Sequence, residues 1–310
     1  MTVHTYTLYN ASTGGVIGRA IIDVTHEMEL SATSGQFDEH VTMTLVSQTT
    51  PLITAVLVTL TASCSGGCTA TDSNAFDGPA TLTLGATVDG WFTYENEPDP
   101  GPDYFNTNYT IFSIAPGATP IDPEDDYPGP FGMRCDSTVG ASTGCVFADY
   151  RPDLELSQVT HGASATMVLW AQLFLPDEWG TPDAPLTRLA DTQQQDRNRD
   201  IICDSTFVAD PNPSTDPNYP LRDSCDEYAF AASRQSGAML GQRGADCAEV
   251  RPFLQNGTWY VTSWSDGTER CVRGHVPLGE NRAAGNALST LTTQMRILDG
   301  EEYTVTVYAD

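Results

Sequence analysis

Four stretches in the first hundred residues alternate apolar side chains with threonine or another polar residue: "HTYTLYN", "VTMTLVS", "ITAVLVTLTAS" and "ATLTLGATVDGWFTY". Successive side chains of a strand point to opposite faces, so a period of two fits a strand with one buried face and gives a helix no apolar stripe. Clusters of Gly, Ser, Asp and Pro separate the stretches, as turns require. Many short strands with turn signals between them predict an antiparallel sandwich. The most apolar run, "PLITAVLVTLTAS", is broken by threonines at strand spacing. It is also shorter than the roughly 20 residues a bilayer-spanning helix needs, so no membrane span is expected. His4, His26 and His40 are scattered through this half and read as ordinary strand or surface positions.

Charge narrows the function classes. The chain of 310 residues has a formal net charge of -27, and all fourteen of its basic residues are arginine. Residues 1–184 carry 23 acids against 3 arginines, and the remainder carries 18 acids against 11. The N-terminal part therefore repels polyanions, and any handling of nucleic acid falls to the C-terminal part, through local arginines and metal ions. Eight cysteines, Cys64, Cys68, Cys135, Cys145, Cys203, Cys225, Cys247 and Cys271, fall as close sequential neighbours with no CxxC pair. An even count without zinc-ribbon spacing predicts disulfides and an oxidising, extracellular setting. Eight cysteines allow 105 connectivities, so the pairing stays open, although Cys64 with Cys68 and Cys135 with Cys145 fit local rings. No signal peptide follows Met1, which suggests a leader removed or a start further upstream.

The segment 95–130, with "ENEPDPGPDYFNTN" and "IDPEDDYPGP", reads as loops or a linker, and "DPEDD" lacks the spacing of an EF-hand. "ASATMVLWAQLF" is a buried strand or helix, its length leaving the choice open, and "PLTRLADTQQQDRNRDIIC" is helical in part. "NGTWYVTSWSD" and the closing "EEYTVTVYAD" read as strands. "CVRGHVPLGENRAAGNALSTLTTQMRIL" reads as strand, turn and helix, with Ala284, Ala287, Leu288, Leu291 and Met295 on one helical face. The fold class expected is α+β and β-rich, with a sandwich and linker over 1–130 and a second domain over 131–310.

The chemistry concentrates in the second domain. In "RDSCDEYAFAAS", Asp226 and Glu227 stand side by side before an apolar run. They are either acidic first-turn residues of a helix, favoured by its dipole, or the floor of an active site. Glu280 and Asn281 stand where the last helix opens, either as caps or as hard oxygen ligands. Hydrolysis of a phosphodiester needs a base, a cation for the charge on the phosphate oxygens and stabilisation of the leaving oxygen. Asp226 and Glu227 offer the base and a second carboxylate, and Glu280 and Asn281 offer a metal shell. Arg234 and Arg282 are candidates for phosphate contact, which the planar guanidinium suits.

"SCDEYAFA" followed downstream by "VPLGENRAAG" resembles the NucA/NucB family of secreted bacterial deoxyribonucleases. The upstream pieces "RC…GCVF" and "PLTR…NR…C" are similar to extended members, so the resemblance covers about 133–307. It implies a ββα-metal-like core, DNA as substrate and a divalent ion, Mg2+ or Mn2+ first, with Ca2+ or Ni2+ as alternatives. It also implies a carboxylate in place of a catalytic histidine. His275 matches no family position, and Ala229 stands where the family has proline. A secreted nuclease toxin is a variant of this reading, and it calls for an inhibitor or immunity protein as partner. The alternative is an extracellular binding or adhesion protein whose nuclease-like end is degenerate. Cys203–Cys225 and Cys247–Cys271 are expected to hold the carboxylate segments in place. Oligomeric state stays open.

Overall fold

The computed structural model describes residues 1–98, 101–209 and 222–309, so Asp99 and Pro100 of the expected linker lie outside the described residues. The chain forms two compact units, Met1–Tyr150 and Arg151–Asp310. The first carries β1 (Thr2–Tyr9), β2 (Val16–Glu29), β3 (Gln36–Gln48), β4 (Val56–Cys64), β5 (Cys68–Asp72), β6 (Ala80–Leu82), β7 (Thr87–Asn96), β8 (Pro102–Ile114), β9 (Glu124–Asp136) and β10 (Gly144–Phe147). These form two antiparallel sheets, ordered β1-β2-β3-β7-β5 and β10-β9-β8-β4-β6. Alternate residues of both sheets, Ile22, Val24, Met43 and Phe92 from one and Val58, Leu60, Phe105 and Ile111 from the other, share one buried core. This is the sandwich that the period of two predicts.

The boundary falls twenty residues later than position 130, and the Pro/Asp-rich segment is largely strand. Phe105, Thr107, Tyr109 and Ile111 recur at period two on β8 and are buried, so burial outweighs the local turn signals. Pro128 and Pro130 sit by the irregular register between Asn106 and Asn108, where a missing N–H is tolerated. "DPEDD" is spent on pairing: Asp126 accepts from the Thr110 hydroxyl at 2.6 Å and Asp125 lies 3.2 Å from His4. His4 and His26 are strand positions, yet both are buried rather than superficial. His26 Nδ1 lies 2.8 Å from Glu39, a carboxylate inside the core that also accepts from the hydroxyls of Tyr94 and Tyr109, each at 2.6 Å.

The second unit carries β11 (Asp153–Ser157), α1 (Gln158–Phe174), β12 (Leu186–Thr187), α2 (Thr192–Ile202), β13 (Asp223–Tyr228), β14 (Ala248–Gln255), β15 (Thr258–Trp264), β16 (Val272–Pro277), α3 (Leu278–Gln294) and β17 (Glu302–Tyr308). Its sheets run β11-β17-β12 and β13-β16-β14-β15, with β11/β17 and β14/β16 parallel. "ASATMVLWAQLF" resolves as helix. Every residue from His161 to Val168 is buried, so α1 lies inside the unit and shows no amphipathic period. The cysteines pair as sequential neighbours: Cys64–Cys68, Cys135–Cys145, Cys203–Cys225 and Cys247–Cys271. No helix among the described residues is long and apolar enough to cross a membrane.

Candidate active site

"SCDEY" is a strand, not a helix start. β13 pairs antiparallel with β16, setting Cys225 opposite His275, Asp226 opposite Gly274 and Glu227 opposite Arg273. Adjacent strand residues face opposite ways, so the two neighbouring carboxylates part company. Asp226 points towards α1, where its Oδ2 accepts from the Ser164 hydroxyl at 2.6 Å. Glu227 points to the other face, 3.7 Å from Arg199 of α2 and 3.6 Å from the Cys203 sulfur. The pairing of Asp226 with Glu227 at one reacting centre, expected from their adjacency, is therefore not what the strand geometry presents.

Asp226 and Glu280 instead reach the same stretch of α1. Glu280, in the first turn of α3, accepts through Oε2 from the backbone N–H of Ala163, the residue before Ser164. Helix α1 is broken there: Gly162 has φ 45° and ψ −116°, a left-handed setting that suits glycine. A Cβ on Gly162 would overlap the Glu280 carboxyl group. Close approach of α1 to the sheet needs a second glycine, because a Cβ on Gly274 would meet Met167 Sδ at 2.5 Å. Asn281 ties the helix to the strand. Its Nδ2 donates to the Cys225 carbonyl at 3.0 Å and to the Ser224 hydroxyl at 3.2 Å. Thus Asp226 and Glu280, from two separate motifs, converge on neighbouring residues of α1.

Both carboxylates are buried, Asp226 at 9 % exposure and Glu280 at 1 %. Burial pushes the Asp226 carboxyl up to about 6, against the Ser164 hydrogen bond and the more distant Arg199, which pull it down. Burial, reinforced by the charge of Asp226, pushes Glu227 up to about 7, with Arg199 opposing. His275 lies on the face away from Asp226, 2.7 Å from Asp223 and 3.2 Å from Glu249, and stacks on Phe207. Burial pulls its pKa down, but those two carboxylates prevail and the net shift is upward.

The arginines are divided. Arg234 is held by Asp299 at 2.7 Å and its backbone bonds Thr187, so it is not brought to Asp226. Arg282 is exposed on α3, next to Asn281. Residues that sequence reasoning passed over are Gly162, Ala163 and Ser164; a glycine inside the alanine-rich "THGASATM" was the available signal.

The carboxylate oxygens that reach this break of α1 are those of Asp226 and Glu280. Among the described residues no group of three or more His, Cys, Asp or Glu side chains could hold a metal ion. Two hard carboxylates still suit a cation such as Mg2+, which takes one or two carboxylates and keeps several waters. No model of a known protein family matches this chain, and no curated protein matches it.

Proposed function

We propose that the second unit is a metal-dependent phosphodiesterase that cleaves DNA with little regard to base sequence. The observation that supports this best is that Asp226 and Glu280 bond to adjacent residues, Ser164 and Ala163, at the Gly162–Ser164 break of α1. Asp226, buried and held by the Ser164 hydroxyl, is the carboxylate assigned to accept a proton from an attacking water as general base. Glu280 would hold the ion, Mg2+ or Mn2+ by preference and Ca2+ or Ni2+ as alternatives, with water filling the rest of its shell. When bound, such an ion neutralises charge on the phosphate oxygens and on the leaving oxygen. Asn281 is a positioning residue that sets α3, and with it Glu280, against β13. Exposed Arg282 is the phosphate contact. Glu227 and Arg234 have no part in this mechanism, since each is held elsewhere. Four disulfides are compatible with an extracellular protein.

One observation favours the competing reading of a binding protein with an inert second unit. Asp226 and Glu280 are already hydrogen-bonded within the fold, as carboxylates that merely brace a broken helix would be. Plasmid nicking separates the two. The nuclease reading expects cleavage with Mg2+ or Mn2+, none in excess EDTA, and none from Asp226→Asn with its thermal transition intact. Full cleavage by that variant, or cleavage unchanged in EDTA, sinks the assignment.

A further inference from the structure

The sandwich has no part in the chemistry above, yet one of its sheet faces is shaped. Across β2, β3 and β7 the outward residues fall into register rows: Glu27 opposite His40 opposite Trp91, then Glu29 opposite Asp38 opposite Thr93. Glu27, His40 and Trp91 of the first row and Glu29 and Asp38 of the second line an open recess of about 820 Å³, within the range of small-ligand sites. Trp91 lies in its wall with 57 % of its surface exposed. An indole left this open forgoes the burial that normally stabilises it. His40 lies against Trp91, with ring centroids 4.6 Å apart, and is 3.5 Å from Glu27 and 3.7 Å from Asp89.

We propose that this recess binds a cationic organic group, the guanidinium or ammonium of a basic peptide, with the charge seated over the face of Trp91 and among Glu27, Glu29 and Asp38. Charge complementarity selects the occupant. The unit 1–150 has 18 acids, two arginines and no lysine. Arg134 is fully buried, and Arg19 lies eight residues along β2 from Glu27, roughly 25 Å away at strand rise. No arginine or lysine of this unit therefore serves the recess, whose carboxylates have His40 as their basic neighbour. A cation over an indole gains a quadrupole attraction that a neutral sugar does not, and the surrounding negative potential steers it inward. The inference is independent of the nuclease reading.

The test uses the full chain and two peptides of equal shape: acetyl-Arg-Arg-amide, and its citrulline counterpart, which is neutral. The readout is the indole N–H resonance of Trp91 by NMR, identified by its loss in Trp91→Phe. Saturable movement of that resonance with the arginine peptide is expected, with at least tenfold weaker binding for the citrulline peptide and for Glu29→Gln/Asp38→Asn. Equal binding of the two peptides overturns the proposal, since shape and not charge would then be read. Shifts spread over the acidic surface that spare Trp91 overturn it as diffuse attraction. Displacement of the arginine peptide by a neutral oligosaccharide overturns it in favour of a sugar site.

Discussion

At the scale of single residues, the second unit depends on which side chains a carboxylate meets. Asp226 is buried and its carboxyl is raised to about 6, whereas an unfolded aspartate titrates near 4. The folded state therefore holds that proton more tightly. The stabilisation is complete below about pH 4 and is lost as pH rises through 6. In EDTA, Asp226→Asn should leave stability unchanged at pH 4 and raise it by about 3 kcal/mol at pH 8. Denaturant melts at the two pH values measure this, and an equal effect at both refutes the burial argument. Gly162→Ala puts a Cβ on the Glu280 carboxyl at a positive φ. We expect a loss of about 1–3 kcal/mol in stability and at least a tenfold drop in plasmid cleavage. A variant equal to the parent in both assays contradicts the placement of Glu280. In the first unit, Glu39→Ala removes the acceptor of the Tyr94 hydroxyl inside the core, while the Tyr109 hydroxyl keeps Thr107 at 2.9 Å. Each unsatisfied buried group costs about 1–3 kcal/mol, so a fall in Tm confined to the sandwich is expected by calorimetry.

At the scale of elements, β13 is the piece on which the site turns, and it is fastened from three sides. Cys203–Cys225 ties it to the end of α2, Asn281 ties it to α3, and six register pairs tie it to β16. The disulfide closes a loop with a sequence separation of 22 residues, for which chain entropy gives about 3 kcal/mol. Replacing Cys203 and Cys225 together by serine should lower stability by about that amount. It should also lower plasmid cleavage more than the same change at Cys64 and Cys68, which lie in the other unit. Chemical denaturation and an initial-rate assay on both double variants decide it, and equal losses of rate count against a positioning role. The helix break has an element-scale cause as well. Ser157 caps α1 through the N–H of Val159, and the chain then turns at Gly162 to present the Ala163 N–H to α3. One helical segment thereby receives a carboxylate from a strand and another from a helix.

At the scale of the whole molecule, charge sets the terms on which DNA could be met. A chain with a net charge of -27 repels a polyanion at long range. Screening shortens that repulsion, since the Debye length falls from about 30 Å at 0.01 M salt to about 8 Å at 0.15 M. Cleavage at subsaturating DNA should therefore rise several-fold between 0.01 and 0.15 M NaCl at constant Mg2+. Most nucleic-acid-binding proteins weaken with salt instead. A monotonic fall over that range would mean that local arginines, Arg282 among them, outweigh the bulk field.

Sequence alone determined what depends on local pattern. The period of two was enough for the sandwich, because strand faces alternate whatever the topology, as Val41, Met43 and Leu45 show. The neighbour spacing of the cysteines was enough to suggest the pairs that form. The strand nature of 102–136 was hidden, because its burial comes from partners distant in the chain while its prolines and aspartates signal turns locally. The site was half legible. Asp226, Glu280 and Asn281 could be named from their motifs, but only the tertiary structure decided that Asp226 and Glu280 reach neighbouring residues of α1 and Glu227 turns away. Adjacency in sequence is opposition on a strand, and the two carboxylates that converge do so through a third element, α1, whose glycine bend no spacing rule reveals.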